Sequence, residues 1–220
     1  MAEEPGGRPA SREPGVLLAL CAAIFVLLGA RPEADRFTWF MENFPVIFGA
    51  PLLVATRRRF PLTPLAYRLL LLHACILMLG GHYTYAEVPL GEWAKDLLHL
   101  ERNHYDRLGH FAQGFVPALL VREVLLRTSP LGPGRWLAFL VVCVCLAISA
   151  GYEFIEWWTA LATGEGADAF LGTQGDPWDT QWDMFLATAG ATASLVLLSR
   201  VHDRQLARLR PAAPGGPPAA

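Results

Sequence analysis

Charge is scarce in this chain. Only 17% of its 220 residues are Asp, Glu, Lys or Arg, against ~25% in an ordinary soluble domain. Hydrophobic residues make up 53%, and the mean hydropathy of +0.32 argues against a water-soluble globule, which the long uncharged runs below settle. A surplus of one sign is missing too. Eighteen basic and twenty acidic residues leave a net charge of −2, so there is no basic surplus to wrap nucleic acid. Cysteine is sparse. Cys21, Cys75, Cys143 and Cys145 all lie inside apolar runs, where they read as small buried hydrophobes, and neither a disulfide framework nor a thiolate metal site is expected. No HExxH pair, no phosphate-cradling glycine loop and no internal repeat is present.

What the chain does have is long uncharged runs. Six stretches, at about 16–30, 37–56, 65–81, 108–126, 136–160 and 183–201, approach the ~20 residues needed to cross ~30 Å of hydrocarbon. The first is a retained helix rather than a signal peptide, because acidic residues crowd the segment before it and Leu28 spoils the small-x-small cleavage pattern before Ala30. The second carries Glu42 and Pro45 and is the least regular. The fold class is therefore all-α: a polytopic integral membrane helix bundle of about six transmembrane helices. It forms one domain over 16–205, flanked by disordered cytoplasmic tails at 1–15 and 206–220 that are rich in Pro, Gly and Ala.

The basic residues set the orientation. With both termini cytoplasmic, 13 Lys and Arg fall inside and 5 outside. The loop 161–178 has no Lys or Arg, as an exported loop should. Six of the seven tryptophans then sit near the outer boundary, with Trp136 near the inner one. Within the outer loop 83–106, Trp93, Leu97, Leu98 and Leu100 alternate with charged residues at a spacing that fits a short amphipathic helix on the membrane surface.

Polar residues gather at the outer ends of four spans. Asp106 and His110 are four apart and share a helix face; Asn103, Arg107, His110 and Gly114 form one stripe. Glu153 and Glu156 are three apart, with Ser149 one turn below Glu153, and Asp179 and Asp183 are four apart on the last helix. Charges at membrane depth cost ~2.5–3.5 kcal/mol each even on the lenient insertion scale. His82, His104, Asp106, Arg107, His110, Glu153, Glu156, Asp176, Asp179 and Asp183 are therefore expected to converge in a polar pocket open to the outside.

Three readings compete for that pocket. Histidines and carboxylates at these spacings on facing helices are how bundles hold metal ions, and His82, His110, Glu153, Glu156, Asp179 and Asp183 are the candidate ligands of a divalent metal. The second reading is metal-free binding or transport of a cation or small solute. The third is structural, with helix caps, an Arg107–glutamate pair and satisfied histidines. His73 reads as a core histidine, and His99 and His202 as solvated loop or tail residues.

At these residues the sequence resembles a known group. Gly81-His82-Tyr83-Thr84-Tyr85, Arg102-Asn103-His104-Tyr105-Asp106-Arg107 with Gly109-His110-Phe111, Tyr152-Glu153-Phe154-Ile155-Glu156-Trp157, and Gly172-Thr173-Gln174-Gly175-Asp176 with Trp178-Asp179-Thr180-Gln181 are similar to motifs of the YjdF family of bacterial inner-membrane proteins. The resemblance covers roughly 15–205. It implies a polytopic protein of the cytoplasmic membrane and no particular activity, substrate or cofactor.

The expectation that follows is an extracytoplasmic-facing membrane enzyme, a metal-assisted hydrolase of a lipid-linked or envelope substrate. His110, Glu153, Glu156 and Asp183 would be its ligands or acid–base groups. Arg107 would hold an anionic group, with Asn103, Tyr83 and Gln174 beside the substrate. The partners are the lipid bilayer and a lipid-linked or small polar ligand. The alternatives are a cation or small-solute binding or transport protein, and a structural membrane protein without catalysis.

Overall fold

The computed structural model describes residues 12–163, 168–171 and 173–209, and all regular structure among them is helical. The long helices are α1 (Glu13–Ala30), α2 (Arg36–Thr56) and α3 (Pro64–Tyr83), then α5 (Tyr105–Thr128), α6 (Arg135–Thr163) and α8 (Asp179–Leu209). A single 3-10 turn, Tyr85–Glu87, leads into the short helix α4 (Pro89–Leu98), and the four-residue α7 (Asp168–Leu171) precedes α8. The surface helix expected in the outer loop is α4. Its residues Leu90, Trp93, Leu97 and Leu98 are exposed. The helical segment is longer than expected at both ends, starting at Glu13 and running to Leu209; the remaining tail residues, and Gly172 of the fourth motif, lie outside the described residues.

Five of the long helices are apolar enough to cross a membrane by length and composition: α1, α2, α3, α6 and α8. The chain is a polytopic helical membrane protein. The expected span 108–126 falls in α5, which does not meet that test because Asp106, Arg107, His110, Gln113, Arg122, Glu123 and Arg127 dilute its apolar character. The reason is its place. Half of its 24 residues are buried, and it packs most extensively on α8, with α6 and α3 also against it. A helix wrapped by others meets protein rather than lipid, so its own hydropathy need not be high.

Small residues let α5 and α8 approach closely. A Cβ added to Gly114 would strike the Ala187 carbonyl, and one added to Gly190 would strike the Phe111 carbonyl. Such contacts between backbones are how helices associate in lipid, where the hydrophobic effect cannot drive them together. Outward faces are apolar: α1 has no buried residue at all, as befits a helix whose solvent is the acyl chains.

Hydrogen bonds group the helix ends into two layers. At one end, Glu13 of α1 pairs with Arg68 of α3. There Arg127 of α5 donates to the Pro61 carbonyl at 2.6 Å, and Gln205 of α8 accepts from the Leu65 backbone at 2.9 Å. At the other end, the His82 carbonyl accepts from Glu33 and Ala34, and Tyr152 of α6 donates to the Met41 carbonyl at 3.3 Å. The start of α1 and the end of α8 therefore share an end of the bundle.

That shared end carries a buried polar knot. Arg122 donates to His202 Nδ1 at 3.1 Å and to Asp203 at 2.7 Å. Since arginine can only donate, Nδ1 must accept and Nε2 must carry the proton, which it gives to Glu123 at 3.1 Å. Thr63 and Arg127 complete the Glu123 shell. His202 is fully buried, which corrects its reading as a solvated tail residue: α8 continues to Leu209, about two turns past the expected span end, and packs His202 against α5. His99 is exposed, as expected, and closes α4 in the left-handed conformation at φ 53°.

Candidate functional site

At the opposite end of the bundle, α5 starts with a rigid entry loop. Asn103, fully buried, donates to the Val88 carbonyl and to Glu92, both at 3.1 Å, and accepts from the Tyr105 backbone at 2.9 Å. Its backbone exchanges two bonds with the Gln174 side chain, at 3.0 and 2.9 Å. Gln174 tolerates φ 47° to do this. Asn103 and Gln174, expected beside a substrate, thus stitch two loops together. Tyr83, the third, packs edge-on against His82 and on the Tyr85–Val88–Tyr105 cluster.

The loops hold two arginines over the start of α8. Arg102 binds Asp179 at 2.8 Å and Asp176 at 3.4 Å. Arg107 binds Asp176 at 2.8 Å and lies 5.2 Å from the Trp182 ring centroid. His104 opens α5 beside both arginines; burial, then those two positive charges, lowers its pKa below the ordinary imidazole value. It stays neutral at pH 7.

Below this rim five of the expected residues, Asp106, His110, Glu153, Glu156 and Asp183, come together. His110 Nε2 lies 3.4 Å from Asp106 and 3.8 Å from Asp183, while Nδ1 is 4.0 Å from Glu153 and 3.1 Å from Gln113 Oε1. Ligand atoms of Asp106, His110 and Asp183 all lie within 4.8 Å of one another, and so do those of His110, Glu153 and Glu156. Asp106, His110, Glu153 and Asp183 are buried. One carboxylate oxygen each of Asp106, Glu153 and Asp183 is buried with no hydrogen-bond partner, as is the Ser149 hydroxyl beneath. Carboxylates this close repel, and either a cation or shared protons must relieve them. The donor set is oxygen with one imidazole, which fits a hard or borderline divalent cation.

Two expected ligands stand apart. His82 Nδ1 bonds the Leu28 carbonyl at 2.7 Å and ties α3 to α1. Asp179 is engaged by Arg102. The arrangement is also tighter than the open pocket expected. The large cavity of the molecule lies toward the other end.

The structure adds residues that the sequence reading passed over. Glu42 of α2 is 5% exposed, within electrostatic reach of Asp106 and His110. Tyr85 lies between Gly80 of α3 and Gly109 of α5, each of which would strike its ring with a Cβ. Its phenol is held well above the ordinary tyrosine pKa, by burial first and then by Glu42, so it stays protonated. The available signal was Glu42 itself, a lone carboxylate in an apolar run. Such a residue is a functional candidate by default, not merely a flaw in a span.

With this geometry in view, the likenesses are informative. Residues 14–204 match the family described as "Predicted membrane protein (DUF2238)". The chain is 56% identical over 190 residues to "Inner membrane protein YjdF" of Escherichia coli (strain K12), covering 86% of this chain and 91% of that protein. No solved structure matches.

Proposed function

We propose a function from one premise: the chain belongs to the DUF2238 family of membrane proteins. Its buried His–carboxylate cluster holds a divalent cation, and it acts in the bacterial inner membrane as a metal-assisted hydrolase of an anionic lipid-linked or envelope substrate, approached from the extracytoplasmic side. The inner-membrane placement follows the Escherichia coli inner-membrane relative, and the orientation follows the arginine distribution.

The observation that carries the proposal is the set of unpartnered, buried carboxylate oxygens on Asp106, Glu153 and Asp183 around His110. Leaving such groups unmatched costs several kcal/mol in total, which a cation held by His110 with Asp106 and Asp183, or by His110 with Glu153 and Glu156, would offset. A cation there supplies Lewis acidity and a nucleophilic water at neutral pH. The carboxylates beyond those needed for ligation, Glu42 among them, are placed to take and return a proton. Arg102 and Arg107 stand at the rim, paired with Asp176 and Asp179, where an anionic head group would compete for them. Exposed Trp157, Trp158, Trp178 and Trp182 ring this end, setting it at head-group depth.

A continuous transport path is disfavoured. Between this cluster and the Glu123–His202 knot lies an apolar layer that includes Ala118, Val141, Cys145 and Ala191. The test is release of inorganic phosphate from isoprenyl or diacylglyceryl pyrophosphates in vesicles carrying the purified protein. Release that needs zinc or manganese and is lost in Glu153→Gln supports the reading. No release by metal-loaded protein across both lipid classes removes it.

A further inference from the structure

The large cavity belongs to neither polar cluster. It measures about 940 Å³ and opens between α1 and α2 over α3, near the upper end of the ~300–1,000 Å³ range of small-molecule sites. Its walls are apolar, drawn from residues such as Leu17, Val46, Leu53 and Leu70. Gly49 faces it, and a Cβ there would meet nothing within 4 Å. Two features separate it from a plain lipid-filled crevice. His73 lines it from mid-helix, 8% exposed, with its Nε2 unpartnered. At the mouth, Arg57 and Arg58 follow the end of α2, with Arg59 next to them; all three are exposed, and no carboxylate among the described residues forms an ion pair with any of them. Glu13, the carboxylate at this rim, is engaged by Arg68.

An apolar slot with a cationic mouth and a polar group inside its wall has the shape of a lipid. We propose that this cavity is a specific site for an anionic phospholipid, its phosphate against Arg57 and Arg58, an acyl chain along α2 and α3, and an ester oxygen accepting from His73. Basic pockets between membrane helices recognise anionic head groups in this way. The site stands independently of the cation cluster, which lies at the other end of the bundle.

Native mass spectrometry of the delipidated full chain, offered phosphatidylglycerol or phosphatidylcholine in mixed micelles, tests it. One phosphatidylglycerol is retained per chain at a concentration where phosphatidylcholine is not. Arg57→Gln with Arg58→Gln reduces that retention about tenfold, as expected for ~1.4 kcal/mol. Gly49→Phe, which fills the slot where space is open, abolishes it while leaving the thermal transition in place. Equal retention of the two lipids, or retention of phosphatidylglycerol unchanged in Gly49→Phe, would overturn the proposal. Since the arginines are exposed, the double variant folds and decides the question even where Gly49→Phe does not.

Discussion

At the scale of single residues, ionisable groups here have sharply different roles, and only some were legible. His110 with Asp106, Glu153 with Glu156, and Asp183 with Asp179 could be read from helical spacing, because each pair lies on one face of one helix. Their convergence was expected from the cost of charge in lipid, but which of the ten expected residues would meet was not readable, since it depends on which faces of α5, α6 and α8 meet. His82, Asn103 and Gln174 carried the same chemical promise, yet they serve backbone carbonyls and loop ties. His202 shows the reverse error: beside charged neighbours it looked solvated, whereas it is fully buried between Arg122 and Glu123. His202→Ala strips a buried carboxylate of one partner and leaves a void, so it should cost ~1.5–3 kcal/mol. Thermal unfolding in detergent checks this, and a change within error would show that the knot contributes nothing to stability.

At the scale of elements, the apolar runs located all six long helices, and α5 is the one whose hydropathy falls short, because half of it is buried among the others. The helix α5 is defined by its neighbours; its two glycine-level contacts with α8 are its clearest mark. Gly114→Leu forces a side chain into the Ala187 backbone and should destabilise by ~1–3 kcal/mol or more, seen as a fall in Tm with loss of monodispersity. The expected span 37–56 matches α2 to within one residue despite Glu42 and Pro45 in its interior, and its start is marked. Asp35 accepts from the Phe37 and Thr38 backbones at 2.9 and 3.1 Å and from the Thr38 hydroxyl at 2.6 Å. These bonds, the hydroxyl's first, hold its carboxyl below the ordinary 3.8. A folded value lower than the unfolded one gives stability that is complete above the unfolded pKa and lost as pH falls through the lowered value. Asp35→Ala should cost ~0.5–2 kcal/mol at neutral pH, with the difference from wild type shrinking below about pH 4, as thermal melts across a pH series would record.

At the scale of the whole molecule, two polar clusters occupy opposite ends of one bundle, with an apolar layer between them. The alternation of helix ends puts the start of α1 and the end of α8 together. With the arginine distribution, this predicts a cytoplasmic fluorescent reporter after Leu209 and an exported one within 161–178. The opposite pattern would reverse the orientation and turn the cation cluster toward the cytoplasm. Whatever side it faces, the account rests on that cluster holding a metal ion. The most direct measurement is elemental analysis of the detergent-purified protein beside His110→Ala and Glu156→Ala. About one zinc or manganese ion per wild-type chain is expected, with loss in His110→Ala and a marked reduction in Glu156→Ala. Wild-type protein that stays metal-free after reconstitution with both ions would contradict the account and leave shared protons as what reconciles Asp106, Glu153, Glu156 and Asp183 with their burial.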